Sequence, residues 1–118
     1  MKNKKQSWRN TKEYHKWKEK VIERDKKCLI CGNTKHLNSH HINSASYFPN
    51  ERFNIENGVT LCHNHHTMFH NSYKNSYRQK CTKKDFANFL EMMIKISEET
   101  GFYNKEKMVE FRKKVLKE

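Results

Sequence analysis

The chain is poor in the residues that interrupt or crosslink a fold, with one proline, three glycines and four cysteines among 118 residues. So little proline and glycine, with no internal repeat, leaves no flexible linker and predicts one domain over residues 1–118. Apolar residues are also scarce, and no apolar run approaches the ~18 residues that span a bilayer. A membrane-spanning helix is therefore excluded. Residues 1–9 are basic, but no apolar segment follows, so we expect no signal peptide and a cytoplasmic protein.

Acidic residues are few as well: 13 aspartates and glutamates face 25 lysines and arginines, a formal charge of +12 at pH 7. This excess predicts a polyanionic partner, DNA above all, although a membrane surface or simple solubility would also use it. The basic residues concentrate in residues 1–20 and 74–84, which we expect to contact the DNA backbone. Tyr73, Tyr77 and Arg78 are further candidates, with ordinary packing equally possible.

Hydrophobic periodicity predicts three helices flanking a central unit. The first covers about residues 11–24, with Asn10 or Thr11 as its N-cap. The last two cover about residues 83–99, behind a Thr82/Asp85 capping box, and 105–117. Between them lie two short predicted strands, residues 37–42 and Gly58–Cys62, and a helical segment after Cys62. The expected class is α+β, with a ββα core over about residues 25–72.

The cysteines have the spacing of zinc ligands. Cys28 and Cys31 form a C-x-x-C turn, and Cys62 begins a C-x-x-H that ends at His65. Two such pairs supply the four sulfur and nitrogen ligands of a structural Zn²⁺ site, whose binding would stabilise a chain this polar. The alternative is four ordinary cysteines. Cys81 is predicted to be a free thiol.

A second group of ligand-type side chains surrounds the same unit. His40 and His41 end the first predicted strand, while His66 and His70 are four residues apart and so share one face of a helix. If strand and helix face each other, these four imidazoles converge. A lone histidine pair is usually structural, but two pairs beside a zinc scaffold favour a functional site.

These motifs closely resemble those of the HNH endonucleases, whose fold is the ββα-metal motif. The resemblance covers about forty residues in order: Cys28-x-x-Cys31, His40-His41-Ile42, the run Asn57-Gly58-Val59-Thr60-Leu61-Cys62, and the segment to His66 and His70. The segment after His70 is similar to small free-standing HNH proteins of phages.

The resemblance implies a role for each matching residue. His41 would be the general base that activates water, and Asn57 would brace the loop that aims its ring. His40 and His66, with His70 as third ligand, would hold a catalytic divalent ion. The family usually has a cysteine where His65 stands, so His63 is an alternative zinc ligand. Many members carry aspartate at the position of His40, and an all-histidine set suits Zn²⁺, Ni²⁺ or Co²⁺ as well as Mg²⁺ or Mn²⁺.

The expected function is therefore that of a metal-dependent DNA endonuclease, bacterial or phage-encoded, which leaves a 5′-phosphate by nicking or double-strand cleavage. It would act as a monomer or a homodimer. Homing, packaging, restriction and defence enzymes would share this core. The main alternative is a non-catalytic zinc-dependent DNA-binding module, which the charge and the cysteines alone support equally well. A structural protein docking an acidic partner leaves the histidines unexplained.

Overall fold

This computed structural model describes residues 8–72 and 79–117, which form four α-helices, one two-stranded antiparallel sheet and short 3₁₀ turns. The α+β class predicted from the sequence is confirmed. In chain order the elements are α1 (Lys12–Asp25), β1 (Leu37–His41), a short 3₁₀ turn (Ile55–Asn57), β2 (Gly58–Cys62), α2 (His63–Ser72), α3 (Lys83–Thr100) and α4 (Lys105–Leu116). None of the helices in these described ranges is long and apolar enough to cross a bilayer.

Helix α1 begins at a side-chain cap and ends at a left-handed residue. The Thr11 hydroxyl accepts a hydrogen bond from the Tyr14 backbone N–H at 3.2 Å, which satisfies one of the free donors of the first turn. Lys26 stops the helix with φ 66°. Trp17 and Val21, one turn apart, are the buried side chains of α1. They hold the helix against the sheet.

The sheet pairs β1 with β2 in a register that sets Leu37 opposite Cys62 and His41 opposite Gly58. Gly58 is required by this packing: a Cβ there would lie 2.5 Å from Val21 Cγ2 and 2.8 Å from Trp17 Cζ2. The missing side chain therefore lets α1 cross directly over the end of the sheet that carries His41.

The outer edge of β2 is covered by the last residues of α1 and by the turn that follows the helix. The Asp25 carboxylate accepts from the Thr60 N–H at 3.0 Å, and the Leu29 N–H donates to the Thr60 carbonyl at 3.0 Å. The Arg24 guanidinium donates to the carbonyl of Gly58 at 2.8 Å. The end of α1 and the turn after it thus take the place of a third strand.

Helices α3 and α4 pack on each other and close the core behind α2. The capping box predicted at Thr82 and Asp85 is confirmed, since each side chain accepts from the backbone N–H of the other. Asn104 caps α4 through its side chain. The main hydrophobic core joins the C-x-x-C turn, β2, α2, α3 and α4 around Ile30, Leu61, Phe69, Phe86, Phe89, Leu90, Met93 and Met108.

Candidate metal centres and active site

Three cysteines and one histidine meet where the C-x-x-C turn approaches the junction of β2 and α2. The ligand atoms of Cys28, Cys31, Cys62 and His65 all lie within 4.8 Å of one another. Cys62 ends β2 and His65 lies in the first turn of α2, so their spacing of three residues places both side chains on one side. His63, the alternative ligand, is exposed and lies outside this group.

The distances in this group suit one tetrahedral zinc ion. Zn–S and Zn–N bonds of their usual lengths imply edges of about 3.8 Å between two sulfurs and about 3.5 Å between sulfur and nitrogen. The Cys31 and Cys62 sulfurs are 3.8 Å apart, and His65 Nδ1 lies 3.3 Å from Cys62 Sγ and 3.8 Å from Cys28 Sγ. The Cys₃His group therefore suggests a structural zinc site.

The protonation chemistry of the group also favours a bound cation. Burial raises the pKa of the Cys28 thiol to about 12, so this thiol would ionise at neutral pH only with a compensating positive charge such as a metal ion. Burial also lowers the pKa of His65, which keeps its ring neutral and able to coordinate. Cys81 is buried at 2% exposure and lies outside the group.

A second group of ligand atoms lies between the end of β1 and α2. The imidazoles of His40, His66 and His70 bring ring nitrogens within 4.8 Å of one another. The Nε2 atoms of His66 and His70 are 3.2 Å apart, close to the separation of about 3.3 Å expected for two imidazoles on one tetrahedral metal ion. The predicted convergence of strand and helix therefore holds for these three histidines.

His40 is the most deeply placed of the three. Its side chain is 3% exposed, with its ring against Phe69 and Phe86, and its Nε2 has no hydrogen-bond partner within residues 8–72 and 79–117. A buried polar atom without a partner is costly unless something absent from the chain satisfies it. Burial lowers the pKa of His40 well below its usual value and those of His66 and His70 to about 4. All three rings are thus neutral at pH 7, as metal ligands must be.

His41 is not part of that group, because successive residues of a strand point to opposite faces. Its ring stacks on the Trp17 indole with centroids 3.9 Å apart and an interplanar angle of 5°. Its Nε2 lies 2.9 Å from the Arg52 carbonyl oxygen. A carbonyl oxygen only accepts, so Nε2 is the protonated nitrogen and, in the neutral ring, Nδ1 carries the lone pair. Burial lowers the pKa of His41 to about 4, and the charges of Arg9 and Arg52 act in the same direction.

Asn57 holds together the loop that supplies the Arg52 carbonyl. The Asn57 Oδ1 accepts from the Asn43 N–H at 2.8 Å, and its Nδ2 donates to the carbonyls of Asn43 at 2.9 Å and Glu51 at 3.2 Å. Because Glu51 directly precedes Arg52, these bonds fix the carbonyl that orients His41. The loop contact expected for Asn57 is thus present.

One cavity of about 230 Å³ is lined both by His41 and by the three clustered histidines, His40, His66 and His70. Trp8 and Arg9 form another part of the wall, and sequence reasoning did not single them out. The Trp8 ring is 6% exposed and lies edge-on to His41 with centroids 5.9 Å apart. The sequence signal for Trp8 was limited to a tryptophan ahead of the first amphipathic helix, because no local periodicity connects Trp8 to the histidines.

Several residues expected to contact DNA fall outside the described residues. These are residues 1–7 of the basic N-terminal stretch, together with Tyr73, Lys74, Tyr77 and Arg78.

Comparison with known proteins adds no further identification: the chain matches no protein-family model, no curated protein and no solved structure.

Proposed function

We propose that this chain is a metal-dependent DNA endonuclease of the HNH type, with a ββα-metal core formed by β1, β2 and α2. It would hydrolyse phosphodiester bonds and leave a 5′-phosphate. One observation carries the proposal: the His41 ring is held in the tautomer that leaves Nδ1 as acceptor, in the same cavity as three imidazoles able to bind one ion.

The residues divide between two metals in this proposal. Cys28, Cys31, Cys62 and His65 would hold a structural zinc ion that ties the cysteine turn to the start of α2. His40, His66 and His70 would hold a divalent cation such as Mg²⁺, Mn²⁺, Ni²⁺ or Zn²⁺. When bound, that cation would supply positive charge to offset the charge that develops on the phosphate and the leaving oxygen.

His41 is the general base in this mechanism. Its Nδ1 takes a proton from a water molecule, whose oxygen attacks phosphorus while the bond from phosphorus to the 3′ oxygen breaks, and the leaving 3′ oxygen takes a proton from solvent to become a hydroxyl. The Nε2–H bond to Arg52 and the stack on Trp17 keep the ring in place as it becomes cationic. A pKa of about 4 leaves the ring neutral at pH 7, and a positioned base contributes about 10² to 10⁴ in rate.

DNA is the partner that the charge favours. The chain carries a formal charge of +12, and double-stranded DNA carries one negative charge per about 1.7 Å of its axis. Contacts to phosphates hold the backbone without reading sequence, so the proposal concerns phosphodiester chemistry and leaves target choice open.

A supercoiled plasmid assay with Mg²⁺, Mn²⁺, Ni²⁺ or Zn²⁺ tests this function. We expect the wild type to give nicked or linear DNA, whose ends are 5′-phosphorylated. His41→Ala should lower the rate by about 10²-fold or more while leaving DNA binding intact. His15→Ala is the matched control, because His15 is an exposed histidine of α1 outside both metal groups.

The possible outcomes separate the two functions considered. DNA binding without cleavage under any of these ions would leave a zinc-dependent DNA-binding module as the function. Cleavage that His41→Ala leaves unchanged would remove His41 as the base.

A further inference from the structure

Arg9 lies at the wall of the histidine cavity, and both its guanidinium and that of Arg52 contact the Trp8 ring. The Arg9 guanidinium lies 4.5 Å from the centroid of the Trp8 ring, and that of Arg52 lies 4.8 Å from it. The Trp8 carbonyl in turn accepts from both the N–H and the hydroxyl of Thr11, at 3.3 and 2.7 Å. The residue before Arg9 is therefore anchored to the start of α1.

The two arginines differ in what their guanidinium groups bind. Arg52 donates from Nε and Nη2 to the Ala45 carbonyl, at 3.3 and 3.2 Å, and these bonds stabilise the loop between β1 and β2. Arg9 is exposed and makes no hydrogen bond or ion pair in the part of the chain that the structure describes. Its guanidinium contacts the Trp8 ring, and its N–H donors are not used by residues 8–72 or 79–117.

The positively charged guanidinium of Arg9 lies at the cavity. Arg9 lines the cavity together with His41 and His66. Burial raises the pKa of Tyr14 and lowers that of His41, and the positive charge of Arg9 has a smaller, lowering effect on both pKa values. A planar guanidinium with free donors matches the paired oxygens of a phosphate better than any other side chain.

We infer that Arg9 is a phosphate-binding residue, which grips the DNA phosphate that is cut and holds it in the cavity between His41 and the three-histidine group. The inference rests on the proposed function for the identity of the ligand. It adds a substrate contact from outside the ββα unit, contributed by a residue ahead of α1.

Two measurements test the inference, one of which needs no cleavage. The first measures the binding of a short fluorescein-labelled duplex to the His41→Ala protein by anisotropy at several salt concentrations. Loss of one phosphate contact should reduce the slope of log affinity against log salt by about one. Arg9→Ala should show that loss, and Arg9→Lys should not. Lys95→Ala is the charge-matched control, since Lys95 is exposed on α3 and absent from the cavity lining.

The second measurement is the single-turnover rate at saturating DNA in the His41 wild-type background. Arg9→Ala should lower this rate by about 10²-fold, as loss of one donor to a reacting oxyanion does, and Arg9→Lys should give an intermediate rate. A reduced binding slope together with a reduced rate supports the inference.

Other results overturn it. An unchanged slope in Arg9→Ala means that Arg9 binds no phosphate. A reduced slope with a wild-type rate means that the phosphate it binds is not the one that is cut. A wild-type protein that cuts with none of the ions removes the proposed endonuclease function, whereas the slope still reports whether Arg9 contacts a phosphate.

Discussion

The Trp17 indole and the His41 imidazole are stacked almost in parallel, with ring centroids 3.9 Å apart. Trp17 also donates from Nε1 to the Asn54 carbonyl at 2.8 Å, so one side chain of α1 contacts both the proposed base and the loop that orients it. The orientation of His41 therefore depends on a helix outside the ββα unit.

Substitution of Trp17 should separate the stack from the hydrogen bond. Trp17→Phe retains an aromatic face but loses the bond to Asn54, which costs about 1 kcal/mol in unfolding free energy, and the smaller ring leaves a cavity that adds to this cost. Trp17→Leu loses both and should lower cleavage further than Trp17→Phe does. Urea unfolding of the zinc-loaded proteins and the plasmid assay measure the two effects. Equal activity in both variants would show that the stack does not position His41.

Gly58→Ala should destabilise the protein by crowding, not by backbone strain. The new methyl group would meet Val21 and Trp17, and overpacking of this kind costs about 1–3 kcal/mol. Gly101→Ala is the matched control: its φ of 80° strains an alanine, but no atom lies within 4 Å of the added Cβ. We expect both variants to lower the melting temperature and only Gly58→Ala to lower the cleavage rate. Wild-type cleavage by Gly58→Ala would contradict this account of the contact.

Loss of a zinc ligand should unfold the cysteine turn. Cys31→Ser leaves a weaker ligand at an exposed corner of the site, so tightly held zinc should fall from about one ion per chain to near zero after dialysis against a chelator. Cys81→Ser changes a cysteine outside the group and should retain the zinc. Metal analysis and circular dichroism provide the readouts. A disulfide between Cys28 and Cys31 in the purified protein would contradict the zinc assignment.

Asn57→Ala should impair cleavage through the loop, because it removes the three hydrogen bonds that link Asn57 to Asn43 and Glu51. Leaving buried backbone groups unsatisfied costs about 1–3 kcal/mol, so the melting temperature should fall as well. The informative comparison is with Asn54→Ala, which removes the side-chain cap of the short 3₁₀ turn without touching Asn57. We expect Asn54→Ala to cut DNA faster than Asn57→Ala. The opposite result would show that Asn57 is not the residue that holds the loop beside His41.

The features that the sequence predicted are those governed by local spacing. The pairs Cys28/Cys31 and Cys62/His65, and the helical pair His66/His70, are brought together by neighbouring residues, so their spacing was sufficient to group them. The capping box at Thr82 and Asp85 follows from local backbone chemistry in the same way.

The features that it did not predict depend on contacts between distant segments. Trp8 lies beside Arg52 and His41 only because the first residues of the described chain pack against the loop after β1. The division of the histidines into three clustered rings and one separate ring likewise required the orientation of β1 relative to α2. A sequence pattern identifies the residue types of a site, but it does not show to which face of a strand each side chain points.

The contacts along β2 limit how two copies of this chain can associate. At Gly58 and Thr60 the outward backbone groups are already engaged by Arg24, Asp25 and Leu29. A strand from another molecule would have to displace these intramolecular bonds before it could extend the sheet on that side. β-Sheet augmentation along β2 is therefore an unfavourable way for two copies of this chain to associate.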